Sequence, residues 1–209
     1  IAMLTRSPLA IVSNANIKDA NLTNLIEAAS EKSNSFSLGE TSNALERVLR
    51  MQLEDVLGVS FKVTTFKNAR QSFLALLTHK VDVGLVSLPA AKRRADLRQV
   101  KVLAVTDTLG DTRLSDIATL QEQGVNAAFG VDRILLAPQA TSAEIVAKIS
   151  KRFKNASKDT ELEEVLSKLY TKIRFKTPDE LTQYFENLSA DWTTLKRKMT
   201  KLGRLEKSG

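Results

Sequence analysis

The sequence predicts an α/β fold, and three observations carry the prediction. Between residues 8 and 137, short alternating or continuous apolar runs take turns with stretches whose apolar residues recur at three- and four-residue steps. From residue 141 onward the chain becomes mostly helical, with three T-x-x-E helix starts. Its 209 residues are 43% apolar, enough for the core of one large domain or two lobes, and 31 Lys+Arg against 24 Asp+Glu give a charge of 31 − 24 = +7.

Residues 8–13 (PLAIVS) read as a strand, and Leu22, Leu25, Ile26 and Ala29 share one face of a short helix. A second helix runs from about residue 42 through Leu45, Val48, Leu49, Leu53, Val56 and Leu57, with Gly58 suited to close it in the left-handed conformation. Residues 59–65 (VSFKVTT) alternate as a strand; Ala69, Phe73, Leu76 and Leu77 make a one-faced helix; Val81, Val83 and Leu85 alternate in a strand ending at Val86 and Ser87. Two further strands, 100–106 and 128–137, flank a short helix expected near 115–123.

In the last third, Thr141 with Glu144, Thr160 with Glu163 and Thr177 with Glu180 each have capping-box spacing. The third is reinforced by Pro178 at the first helical position, followed at helical spacing by Leu181, Tyr184, Phe185, Leu188, Trp192 and Leu195. KIRFK (172–176) reads as a short edge-like strand, and no internal repeat or low-complexity linker interrupts the chain.

Composition excludes much chemistry. There is no cysteine, hence no disulfide, thiol nucleophile or Cys-ligated metal, and the single histidine, His79, removes HExxH and multi-histidine sites. The 8 glycines contain no G-x-G spacing, so no phosphate-cradling loop is written, and no cofactor or metal is expected. The longest apolar runs fall far short of the ~20 residues a bilayer-spanning helix needs. Residues 1–12 lack the features of a signal peptide, so any export signal is expected upstream. His79 and the lone carboxylates Asp82 and Asp132 read as structural residues, and no catalytic residue is assigned. Two basic clusters, Lys92-Arg93-Arg94 with Arg98 and Lys101, and Lys196-Arg197-Lys198 with Lys201, Arg204 and Lys207, read as solvated faces. With aromatics at 5%, they come without the stacking platforms of nucleic-acid binding.

The turn Leu38-Gly39-Glu40-Thr41-Ser42-Asn43, which joins a strand-like stretch to the helix beginning near Ser42, is more informative. It groups hydroxyl and amide side chains at a helix N-terminus, where free N–H groups and the positive dipole end receive anions; capping by Thr41 or Ser42 is the simpler role, and the two can coexist.

Several ordered segments resemble the substrate-binding proteins of tripartite tricarboxylate transporters, the TctC or Bug family. They are Val102–Thr106 with Ala118–Val125, similar to the family's "LAVT…PTLAEAG" block; Leu136-Ala137-Pro138 with Thr141, similar to "FAPAGTP"; and Thr177-Pro178-Asp179-Glu180 with Trp192, similar to "TPEEF…W". The resemblance covers about positions 7–199. It implies a type II periplasmic-binding-protein architecture, two α/β lobes closing over a carboxylate-bearing solute. This chain would hold the second lobe complete plus the C-terminal part of the first: 1–12 as crossover strand from the first lobe, 13–130 as second lobe, 131–209 as return strand and C-terminal helices. The family's "YGSSGxGSxxH" binding loop aligns with Leu38–Val48, Ser42 standing at a usual glycine and Val48 at the usual histidine. The "PYKG" turn aligns with Thr65-Phe66-Lys67-Asn68.

On this resemblance the expected function is an extracytoplasmic, periplasmic solute-binding protein, not an enzyme. It would capture a small organic anion through Gly39, Thr41, Ser42, Asn43, Phe66, Lys67, Ser87 and Arg133, with Lys67 or Arg133 as counter-ion. Ser87 enters because it ends a buried strand, where ligands of open α/β sheets sit. The expected partners are the solute and membrane transporter subunits, and not nucleic acid. If the chain is a fragment, self-association is expected through apolar faces such as Ile145/Val146/Ile149 and Leu162/Val165/Leu166/Leu169. The alternative is a divergent sensor or scaffold of the same fold that binds a protein partner; an anion-processing enzyme would have only His79 and scattered carboxylates to work with.

Overall fold

The computed structural model describes residues 1–107 and 117–203. The chain divides into two compact units: a central one, Pro8–Gly130, and a terminal one, Ile1–Ser7 with Val131–Gly209. Strand β1 (Ala2–Asn14) contributes to both.

In the central unit, α1 (Leu22–Glu31), β2 (Ser37–Thr41), α2 (Ala44–Leu57), β3 (Lys62–Phe66), α3 (Ala69–Leu77), β4 (Val83–Ser87), α4 (Leu88–Asp96) and β5 (Val100–Val105) follow β1. The strand order is β3-β2-β4-β1-β5. β2 runs parallel to β3 and to β4, whereas β1 runs antiparallel to β4 and β5. Successive side chains on a strand face opposite sides. On β2, Glu40 meets Arg50 of α2, while Gly39 faces α3, so the sheet is covered on both sides. At Gly39 a Cβ would stand 2.8 Å from Ser72 Oγ and 3.2 Å from the Phe66 ring, so only glycine lets α3 approach this closely. Ile11, Val12, Leu38, Leu53, Leu76, Val83 and Leu88 are fully buried here, each worth roughly 1.5–3 kcal/mol for a large aliphatic side chain.

Helix α2 ends as its sequence requires: Gly58 takes φ 67°, and its amide donates to the Asp55 and Glu54 carbonyls. Other boundaries differ from expectation. Helix α2 starts at Ala44 because Asn43, not Thr41 or Ser42, caps it, accepting from the Leu45 amide. Helix α4 was not foreseen, since Leu88 and Ala91 are its only buried residues and Pro89 reads as punctuation. Within the helix expected near 115–123, residues 117–123 instead form a turn tied to β5 by a Val105–Thr119 bridge, and Thr119 and Glu122 satisfy each other's amides locally; residues 115–116 lie outside the described residues.

In the terminal unit, β6 (Gly130–Leu135) and β7 (Lys172–Lys176) both pair with β1, β7 antiparallel with Met3 opposite Lys176 and Arg6 opposite Lys172. Helices α5 (Ala143–Ala156), α6 (Thr160–Lys168) and α7 (Pro178–Lys201) complete it. The Thr177–Glu180 capping box forms as expected. The caps of α5 and α6 fall instead one residue from the expected threonines, on Ser142 and Asp159, whose side chains accept the first-turn amides. Helix α7 buries Leu181, Leu195 and Met199, but α5 buries only Ser150 and α6 nothing. Among the described residues no helix is long and apolar enough to cross a membrane.

Candidate functional site

Parallel pairing sends β2, β3 and β4 out of the sheet at the same edge, and each strand there gives way to a helix start. Thr41 lies opposite Phe66 in the β2–β3 register. Counting forward from the Gly39–Gly84 pair of β2 and β4, Ser42 and Ser87 lie at the same level. Antiparallel β1 begins its run in this unit at this edge, Leu9 opposite Ser87. β5 ends there, the Leu9 amide donating to Thr106 Oγ1 at 2.9 Å and the Thr106 hydroxyl to the Phe129 carbonyl at 2.7 Å. The carboxyl edge of the central sheet therefore gathers the N-termini of α2, α3 and α4, where amides without helical partners point outward and the dipoles are positive.

The helix starts differ in what already occupies them. Asn43 caps α2, and Asn68 caps α3 by accepting from the Gln71 amide at 3.0 Å. Ser87 opens α4 with no side-chain cap. Thr41 is buried, its hydroxyl accepting from the Asn43 amide and its own amide donating to Glu46 Oε2 at 2.9 Å. Ser42, Asn43, Lys67 and Ser87 are exposed and Phe66 is half-buried. Beneath the edge, buried Arg50 donates to Glu40 Oε2 at 2.7 Å and Glu54 Oε2 at 2.6 Å, and Glu54 Oε1 accepts from the Phe61 amide at 2.9 Å. This network pins α2 to β2 and to the entry of β3.

The structure thus brings Thr41, Ser42, Asn43, Phe66, Lys67 and Ser87 to one edge of the central unit. Gly39 is not among them: it sits in the middle of β2, paired with Thr64 and Gly84, buried against Ser72, and offers only backbone. Arg133 belongs to the terminal unit, where its Nη1 donates to Ser7 Oγ at 2.6 Å and Ser7 Oγ hydrogen-bonds with Thr171 Oγ1 at 2.7 Å. Its neighbour Asp132 has a structural partner. Arg6 grips both its carboxylate oxygens, each at 2.6 Å, and Tyr184 donates to the same group. Burial would raise Asp132, but the hydrogen bonds from Arg6 and Tyr184 and the charges of Arg6 and Arg174 outweigh it and hold the carboxyl below its ordinary range. Tyr184 is pushed up by burial, by its hydrogen bond to Asp132 and by that residue's charge.

The remaining candidates are structural. His79 is exposed in a turn at φ 58°, and Asp82 accepts from the Ser37 amide and hydroxyl at 2.8 and 2.7 Å. In the first basic cluster Lys92 pairs with Asp96, Arg94 donates to Gln99 and Lys101 to the Ile17 carbonyl. Arg204 and Lys207 of the second lie outside the described residues. Glu46 and Thr106 were missed as site residues by sequence reasoning; for Glu46 the Asn43-x-x-Glu46 spacing was the available signal, and for Thr106 its place as the threonine of the LAVT-like segment Val102–Thr106.

Residues 1–200 match the family model described as the tripartite tricarboxylate transporter family receptor. A curated relative, the UPF0065 protein in the TAR-I ttuE-ttuC' intergenic region of Agrobacterium vitis, is 22% identical over 161 residues, 76% of this chain and 46% of the relative. The chain therefore spans about half of that protein's length. Among solved structures, a TctC solute-binding protein from Polaromonas superposes with a TM-score of 0.75 at 21% identity, covering 95% of this chain and 68% of that one. R. palustris Rpa4515 with adipate does so with a TM-score of 0.75 at 19% identity, covering 94% and 67%.

Proposed function

From the membership of this chain in the tripartite tricarboxylate transporter receptor family, we propose that the carboxyl edge of its central sheet grips a small organic carboxylate for delivery to membrane transporter subunits, outside the cytoplasm in the periplasm. The observation that carries this reading is the gathering of three helix starts, exposed hydroxyls and a lysine at one sheet edge. Open α/β sheets bind ligands at this end of their strands, and a related structure of the same fold, Rpa4515, holds a dicarboxylate, adipate.

The chemistry is reversible capture. A carboxylate oxygen accepts from first-turn amides of α3 and α4 and from the Ser42 and Ser87 hydroxyls, and Lys67 supplies a positive charge. Phe66 presents an apolar surface to the ligand's carbon chain. No bond is made or broken, so the absence of an activated nucleophile or base at this edge is no obstacle.

Isothermal titration of the chain with a panel of mono- and dicarboxylates tests this. At least one is expected to bind, and Lys67→Ala together with Ser87→Ala to weaken it by roughly tenfold or more, a charge-assisted and a neutral hydrogen bond being lost. Equal affinity in the double variant would move the site elsewhere, and no binding of any carboxylate would end the proposal.

A further inference from the structure

The edge is electrically lopsided. Over β3 and α3 stand Lys67 and Arg70, both exposed, with no ion-pair partner among the described residues. Over β2 and α2 stands a carboxylate instead. Glu46, at the third position of α2, reaches back past the cap to accept from the Thr41 amide at 2.9 Å. It reaches that far because Asn43 already serves the helix, its side chain holding the Leu45 amide. Arg50, one turn further along α2, is committed to Glu40 and Glu54, and Glu46 makes no ion pair among the described residues.

An amide that a bound anion would use is therefore already filled by an anion belonging to the chain. We propose that Glu46 is a specificity-determining residue: its carboxylate, seated on the Thr41 amide, repels a second carboxylate at the α2 end and favours ligands whose far end is neutral or cationic. The inference rests on the carboxylate-binding reading above and sharpens it. One carboxylate is welcomed at the α3 end; a dianion long enough to reach Glu46 meets like charge there, and an ammonium meets its complement.

Three ligands of equal length isolate the effect: adipate, hexanoate and 6-aminohexanoate, titrated into the chain and into its Glu46→Gln and Glu46→Ala variants. Glutamine keeps an acceptor for the Thr41 amide and removes the charge; alanine removes both. The unaltered chain is expected to bind 6-aminohexanoate more tightly than adipate. Glu46→Gln is expected to raise adipate affinity by about fivefold to tenfold, as for a partly exposed charge pair, while leaving hexanoate nearly unchanged. Amide exchange supplies a readout without ligand: Thr41 stays protected in Glu46→Gln and exchanges faster in Glu46→Ala. Unchanged adipate affinity in Glu46→Gln, or equal Thr41 exchange in Glu46→Ala and the unaltered chain, overturns the assignment of Glu46 while leaving carboxylate binding standing. Failure of all three ligands to bind any of the three proteins overturns the selectivity assigned to Glu46; failure of every carboxylate in the wider panel as well, with Thr41 protection behaving as expected, overturns the binding reading itself.

Discussion

The central and terminal units both carry amphipathic helices but are held together differently. In the central unit, α1, α2 and α3 bury leucines against a sheet covered on both sides, and the buried ionic network Glu40–Arg50–Glu54 is enclosed by that core. In the terminal unit, Ile145, Val165 and Leu169 are 51%, 50% and 56% exposed, and the Arg6–Asp132–Tyr184 cluster ties β1, β6 and α7 together. An apolar stripe in sequence sets the face a helix can bury; whether it is buried depends on what the fold sets against it.

The sharpest way to break this contrast is Arg50→Met. It leaves Glu40 and Glu54 as buried carboxylates without their cation and is expected to cost about 3–5 kcal/mol, read as a lower urea midpoint by far-UV circular dichroism. A loss below about 1 kcal/mol would mean the network is incidental to the central unit.

The corresponding test in the terminal unit is pH. The folded-state pKa of Asp132 lies below its unfolded value, so the stability it contributes is present above the ordinary carboxylate range and lost as pH falls through the folded value. Tyr184 is raised, so its contribution is complete below the ordinary tyrosine range and lost as pH rises through the folded value. Trp192, the only tryptophan, lies on α7 and reports this unit by fluorescence. Asp132→Asn is expected to lower stability at neutral pH by about 2–3 kcal/mol, short of a fully buried pair, and to flatten the acid limb. An acid limb unchanged in that variant would assign the dependence to other groups.

The smallest expected effect is the most diagnostic of the contrast. Ile145→Ser and Val165→Ser should each cost at most about 1 kcal/mol, read from the urea midpoint, because each side chain stays about half exposed on folding of the described chain. A loss above about 2 kcal/mol would show these faces covered in solution.

The alternation of strands and helices was legible because apolar periodicity is local: β3 through β5 and α2 with its Gly58 terminus follow from spacing alone, whereas Gly39, Glu40 and Thr41, read as part of a turn, lie on β2, whose five residues carry a single large apolar side chain, Leu38. Helix α4 was hidden because a helix with two buried residues leaves almost no periodic trace. The caps of α5 and α6 slipped by one residue because adjacent Thr141 and Ser142, or Asp159 and Thr160, are near-equal competitors for the same amides. Of the strand ends forming the candidate edge, those of β3 and β4 were likewise readable. The contacts that hold the molecule around them were not: Arg6 meets Asp132 across 126 positions, and Glu40 meets Arg50 only after β2 and α2 have packed. Spacing rules reach one helical turn, and so could propose Arg50 with Glu54 but not the third member.

Helix α4 leaves its opening turn to be finished by something other than its own side chains. If a guest oxygen settles there, the peptide groups of Leu88 and Ala90 gain an acceptor, so occupancy and local ordering become one event. Uptake would then register first as stiffening of a single coil of backbone beside Ser87, a signature that a passive dish of preset donors would not leave.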